Sequence, residues 1–109
     1  MIPRTIHQIW IGPKQRPDDW MQTWRERNPT FAFTVWDESA IDAFGLQHRD
    51  KYDYYMRKGL YDGAADVARV EILYRLGGIY IDADSVCLHT IEDRKSTRLN
   101  SSHQIISYA

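Results

Sequence analysis

Two aspartates one residue apart, Asp82 and Asp84, close the apolar run Gly77-Gly78-Ile79-Tyr80-Ile81. Carboxylates at the mouth of a buried strand are poor packing material and good metal ligands. On a strand, residues i and i+2 face the same side, about 6–7 Å apart at Cα. Two full charges at that distance repel by roughly 2–3 kcal/mol at an effective dielectric of ~20. A divalent cation removes that repulsion, and hard oxygen donors suit Mg²⁺ or Mn²⁺. Two protein carboxylates leave most of an octahedral shell free, so a diphosphate could fill it, and the metal would neutralise charge on a leaving nucleoside diphosphate. The bland alternative is a solvated strand end with turn-forming aspartates. An isolated Asp-x-Asp is a weak signal.

Other side chains could serve the same chemistry. Asp66 and Arg69 are three apart on a strongly periodic segment and so share a helix face. The planar fork of Arg69 donates to neighbouring hydroxyls and Asp66 accepts from them, which suits a sugar. An ordinary surface ion pair is the competing reading. Trp10 ends the first predicted strand, and open α/β sheets bind ligands at the carboxyl ends of their strands. An indole there could stack on a nucleobase, or be core. His7 and His48 show no metal or triad spacing; His7 reads as a strand residue with a satisfied hydrogen bond. Cys87 reads as a buried thiol.

The elements that must position these residues follow from the pattern. Thr5 to Ile11 is a near-continuous apolar strand ended by Gly12-Pro13, as for a strand buried on both faces of a parallel sheet. Asp18 or Asp19 can cap a helix through Arg27, with Trp20 and Trp24 forming one stripe and Pro29 stopping it. Thr30 to Trp36 reads as a second strand. Asp37, Glu38 and Ser39 open a short helix that Gly45 ends. Gln47 to Gly59 reads as partly helical, with Tyr52, Tyr55 and Met56 as its apolar side. Gly63 to Leu76 is the clearest helix. Asp62 is its expected cap, Val67, Val70, Leu73 and Tyr74 its stripe, widened by Ile72 and Leu76. Gly77 should take a left-handed closing conformation before the strand Ile79–Ile81. The order β, α, β, α, α, β predicts a layered α/β domain with a mainly parallel sheet.

Length and composition bound the rest. The 109 residues suffice for one small domain. A net charge of −1 offers no case for a nucleic-acid partner. The single cysteine excludes an internal disulfide and a cysteine-based zinc cluster, and fits a reducing compartment. No apolar run reaches the ~20 residues that span a bilayer, and the N-terminus has no signal-peptide h-region. The expected location is therefore cytoplasmic or peripheral at a membrane. The four tryptophans fall in the first third of the chain, where a dense core is the safer expectation than a stacking platform.

Three ordered blocks, IPRTIHQIWIG, TWRERNPTFAFTVWDE and ADVARVEILYRLGGIYIDADSV, resemble the DXD-containing sugar transferases of glycosyltransferase family 32. That family includes fungal initiating and sphingolipid mannosyltransferases and bacterial capsular polysaccharide transferases, and shares its core pattern more distantly with the glucosylating clostridial toxins. The resemblance covers Ile2 to about Ile91 and is weakest from Leu46 to Leu60. It implies a GT-A fold, Rossmann-like with flanking helices, a UDP- or GDP-linked sugar donor, Mn²⁺ or Mg²⁺, and a glycan or glycolipid acceptor. It also suggests retention at the anomeric carbon and leaves room for membrane association of a longer parent. Carried onto this chain, Trp10 matches the aromatic that stacks on the donor base, and Asp66 and Arg69 the pair that holds the donor sugar. Asp82 matches the first DXD carboxylate, reaching ribose and sugar hydroxyls, and Asp84 the second, which binds metal. Ala65 departs from the serine often found there.

The tail changes character. Arg94 to Ala109 has no helical or strand period, and KSTRLNSSH within it resembles the peptide read from a cloning adaptor in frame. The expectation is a foreign, disordered tail at 94–109 after a truncated donor-binding half-domain at 1–93. The parent would transfer a sugar and the chain alone would not. Two other readings compete. One is a haloacid-dehalogenase-like phosphatase with Asp82 as nucleophile, although its motif normally opens the domain. The other is a non-catalytic nucleotide- or carbohydrate-binding fragment, marginally stable because a half-sheet leaves an unpaired edge and an uncovered apolar face.

Overall fold

The computed structural model describes residues 3–88 and 106–108. In chain order the elements are β1 (Thr5–Ile9), α1 (Asp18–Arg27), β2 (Ala32–Trp36), α2 (Glu38–Phe44), α3 (Arg49–Arg57), α4 (Tyr61–Leu76), β3 (Ile79–Ile81) and β4 (Ile106–Tyr108). The sheet order is β2-β1-β3-β4, with β1 parallel to both neighbours and β4 antiparallel to β3. The expected α/β architecture with a mainly parallel sheet is present. Residues 94–105 of the expected disordered tail lie outside the described residues. At Ile106–Tyr108 the backbone pairs with β3, whose outer edge would otherwise present unpaired N–H and C=O groups.

Strand alternation splits the core into two layers. Ile6, Ile79 and Ile81 face α1 and pack with Trp24 and Cys87. Ile9, Trp36 and Tyr80 face the other helices and pack with Ile41, Tyr52, Ala64, Ala68, Ile72 and Leu73. Burial of Ile6, Ile41, Ile72 and Ile81 is complete or nearly so, and each contributes on the order of 2 kcal/mol. Cys87 is the buried thiol expected.

Several boundaries and faces differ from the sequence reading. β1 ends at Ile9, although the Trp10 N–H still donates to the Trp36 carbonyl at 2.9 Å. Pro17, not an aspartate, stands at the cap of α1, and Asp18 and Asp19 occupy its first turn. The buried stripe of α1 is Met21 and Trp24, while Trp20 is 48% exposed. Likewise α4 begins at Tyr61, so Asp62 sits in its first turn and does not cap it.

The largest correction concerns the inner face of α4. Ala64, Ala68, Glu71, Ile72 and Leu73 are buried, whereas Val70 and Tyr74 are 60% and 89% exposed. The alanines, at i and i+4, let the helix lie close to the Tyr80 face of the sheet. Glu71 is buried because it has work there. Its two oxygens accept from the backbone N–H groups of Gln47 (2.6 Å) and His48 (2.9 Å), pinning the start of α3 to α4.

The α4–β3 joint is tight. The Gly77 N–H closes the helix on Leu73 O at 2.9 Å. Its φ of 70° is positive as expected, but ψ of −170° lies outside the left-handed helical region, in a conformation essentially reserved for glycine. Gly78 follows with φ 102°, and a Cβ there would stand 2.7 Å from the Thr5 carbonyl oxygen. The chain can therefore turn at once and lay β3 against β1.

Candidate active site

The Asp-x-Asp pair lies just beyond the end of β3. Ala83 and Asp84 form a turn, so the expected strand geometry is corrected: the sheet ladder stops at Ile81. Asp82 is half-buried, Asp84 exposed, and Ala83 between them 1% exposed. The two carboxyls nonetheless meet. Burial, then a hydrogen bond to the Asp84 side chain and the charge of that group, push Asp82 up to about 6. The Asp84 backbone N–H donates to the Asp82 carboxyl and pulls the other way, and Asp62 adds a lesser upward push. A hydrogen bond between two carboxyls needs a proton on one of them. Two carboxylates this close in sequence at a strand end repel when both are ionised, which is a donor set that fits a hard divalent cation. Among the described residues no cluster of three or more His, Cys, Asp or Glu side chains forms a complete metal site.

Arg69 and Asp66 project from α4 three residues apart. Their closest approach is 3.7 Å, with Asp66 67% exposed, so the pair adds little to stability. The guanidinium of Arg69 also sits over the Tyr80 ring, 5.6 Å from its centroid. Tyr80 links the two groups. Burial pushes its phenol pKa far up; the charge of Asp82 adds to this, Arg69 opposes it, and Asp66 and Asp84 add smaller upward pushes. All four candidate polar residues are thus close enough to act on one buried phenol. Sequence reading missed Tyr80, although strand alternation marked it: on β3 it alone faces α4.

Trp10 is half-buried one residue past β1, and its Nε1–H donates to the Lys14 carbonyl at 3.0 Å. Counting on from His7 opposite Tyr80 brings Trp10 level with Ala83, so it lies on the same edge of the sheet as the aspartates. The structure thus sets Arg69 over Tyr80, with the charges of Asp82, Asp66 and Asp84 acting on the same phenol, and leaves Trp10 at the neighbouring strand end. A groove of about 310 Å³ between α3 and α4, lined by His48, Lys51, Tyr55 and Val70, opens beside Asp66.

Residues 15–105 match the family described as the glycosyltransferase sugar-binding region containing a DXD motif. The chain belongs to that family. It is 30% identical over 101 residues to inositol phosphoceramide mannosyltransferase 3 of Schizosaccharomyces pombe, covering 84% of this chain and 26% of that protein. It is 35% identical over 105 residues to an uncharacterised glycosyltransferase of Acanthamoeba polyphaga mimivirus, covering 85% of this chain and 39% of that one. Among solved structures, the PaToxG glycosyltransferase superposes with a TM-score of 0.66 at 20% identity, over 83% of this chain and 45% of its own. That likeness shows the fold, which is GT-A. The chain spans between a quarter and two fifths of the length of these curated relatives. In this DXD glycosyltransferase region Asp82-Ala83-Asp84 is the Asp-x-Asp sequence. Membership in the family does not favour the phosphatase reading of Asp82.

Proposed function

We propose that this chain carries the donor-binding part of a glycosyltransferase that moves a hexose, mannose in the first instance, from a nucleotide-sugar to a glycan or glycolipid acceptor. One observation carries the reading: Asp82 and Asp84 share a turn directly after β3, whose Tyr80 carries the Arg69 guanidinium of the Asp66–Arg69 pair over its ring. Asp84, the exposed member, would be the main ligand of Mn²⁺ or Mg²⁺, with Asp82 as the second. When bound, that ion supplies positive charge against the diphosphate of a UDP- or GDP-linked donor.

The chain's own residues do the rest. Asp82 accepts from ribose and sugar hydroxyls, Asp66 accepts from the sugar, and Arg69, steadied over Tyr80, donates to it. Trp10 offers an indole face to the base, held by its bond to Lys14. Mannose is favoured because inositol phosphoceramide mannosyltransferase 3 of Schizosaccharomyces pombe aligns over 84% of the chain. A chain spanning 26–39% of its relatives is expected to bind donor without turning it over.

Isothermal titration of GDP-mannose and UDP-hexoses into the chain tests this. The reading expects binding that requires Mn²⁺ or Mg²⁺ and is lost in Asp84→Asn. Equal binding in the presence of a chelator, or in that variant, would overturn it.

A further inference from the structure

We propose that Ser85 is a positioning residue for the Asp82-Ala83-Asp84 turn. It fixes the peptide plane between Asp82 and Ala83 so that the carbonyl faces the core and the Asp82 carboxyl stays beside Asp84.

The hydrogen bonds around Ser85 can run in only one sense. Trp24 is fully buried, and its Nε1–H reaches Ser85 Oγ at 3.2 Å and the Ser85 carbonyl at 3.1 Å. An indole N–H only donates and a carbonyl oxygen only accepts. Ser85 Oγ therefore accepts from Trp24 and donates its own proton to the Asp82 carbonyl, 2.5 Å away. The same carbonyl takes a longer bond, 3.4 Å, from Gln8 Nε2 on β1. Gln8 is fully buried, and its Oε1 has no partner among the described residues. The amide is thus oriented toward the Asp82 carbonyl at the expense of its own acceptor.

A merely structural Ser85 would exist to satisfy Trp24. That role is already filled, because the indole reaches the Ser85 backbone carbonyl, which any residue at 85 retains. What only the hydroxyl supplies is the short bond to Asp82. Ala83 and Ser85, each 1% exposed, seat the turn on the core from both sides of Asp84. A small residue with a hydroxyl donor is required at 85, and serine meets both demands.

Thr23 provides the control. Its Oγ1 accepts from the Cys87 N–H at 2.8 Å, anchoring the same segment two residues further on without touching Asp82. The experiment compares wild type, Ser85→Ala, Ser85→Thr and Thr23→Val as full chains. Amide exchange at Asp84 is read by NMR without metal, referenced to the Ile6 amide in β1 so that a global loss of stability cancels. Mn²⁺ affinity is read by electron paramagnetic resonance; this second arm rests on the proposed function, and the first does not.

The expected result is Asp84 exchange at least tenfold faster in Ser85→Ala and within twofold of wild type in Thr23→Val. Mn²⁺ affinity should fall about tenfold or more in Ser85→Ala, the usual scale for residues behind a metal ligand, and recover in Ser85→Thr. Unchanged Asp84 exchange in Ser85→Ala, or equal acceleration in Thr23→Val, overturns the proposal. Wild type that takes up no Mn²⁺ would remove the metal reading, and the exchange comparison would still decide the role of Ser85. Should Ser85→Ala fail to fold, Ser85→Cys, similar in size with a weaker donor, is held to the same exchange criteria.

Discussion

His7 donates its Nε2–H to the Gly77 carbonyl over 2.9 Å, across seventy residues of chain. Its other ring nitrogen, Nδ1, accepts from the Trp36 indole at 3.1 Å. Only the neutral imidazole with its proton on Nε2 satisfies both partners, a tautomer assigned from the bonding network. One buried side chain thus ties β1 to the end of β2 and to the joint that launches β3 toward the aspartates. The expectation that His7 is a strand residue with satisfied hydrogen bonds is met.

Replacing His7 by leucine keeps an apolar body and strands two polar groups, the buried Trp36 N–H and the half-buried Gly77 carbonyl. The expected loss is about 2–4 kcal/mol of unfolding free energy, read as a lower urea midpoint. A loss below ~1 kcal/mol would show that the clamp matters little.

The same residue sets a pH dependence. Burial lowers the pKa of His7 below 6.5, and the bond to Gly77 only partly opposes this. As pH falls through 6.5 the unfolded chain takes up a proton that the folded chain refuses. Stability from this source is therefore whole above that pH and declines below it. The difference in urea midpoint between wild type and His7→Leu should shrink from about pH 7.5 to about pH 5. Taking the difference cancels Asp82, whose raised pKa acts with the opposite sign. A difference that stays constant or widens would contradict the assignment.

Gly78→Ala should cost ~2 kcal/mol or more, since φ is 102° and the new Cβ would meet the Thr5 carbonyl at 2.7 Å. Gly45→Ala is the comparison: φ is 76° but nothing lies within 4 Å, so the backbone conformation alone costs about 1 kcal/mol. Equal thermal shifts in the two variants would mean that the close approach to β1 is not a constraint.

On α4, Ala68→Leu should destabilise by about 2 kcal/mol through overpacking against the sheet. Val70→Lys and Tyr74→Ser should fall within about 0.5 kcal/mol of wild type, because both positions face water. Thermal unfolding of the three variants checks the assignment of the buried face, and the reverse order would refute it.

Much of this arrangement was legible in the sequence, for local reasons. Asp82, Asp84, Asp66 and Arg69 were visible as chemistry at short spacings, and Gly45 and Gly77 marked helix ends because few other residues tolerate their backbone. What escaped was decided by packing between elements. Hydrophobicity singled out Val70 and Tyr74 on α4, but the sheet selects Ala64 and Ala68, whose small size permits close approach. Glu71 carries no local signal of burial; the start of α3 supplies the two N–H groups that hold it. Tyr80 gave no signal as a site residue because the cation over its ring, Arg69, comes from α4, eleven residues earlier in the chain. The turn itself displaced the expected strand geometry of the aspartates, and Ser85 gave no signal without Trp24 beside it.

The most direct measurement is a Mn²⁺ titration of the full chain by electron paramagnetic resonance, comparing wild type with Asp84→Asn. The amide keeps the size of the side chain and removes its charge, so folding should be retained. The account predicts saturable Mn²⁺ binding by wild type, at least tenfold weaker in the variant. Binding of equal strength in both, or none in a folded wild type, would contradict the assignment of the Asp82–Asp84 turn as a metal and donor site.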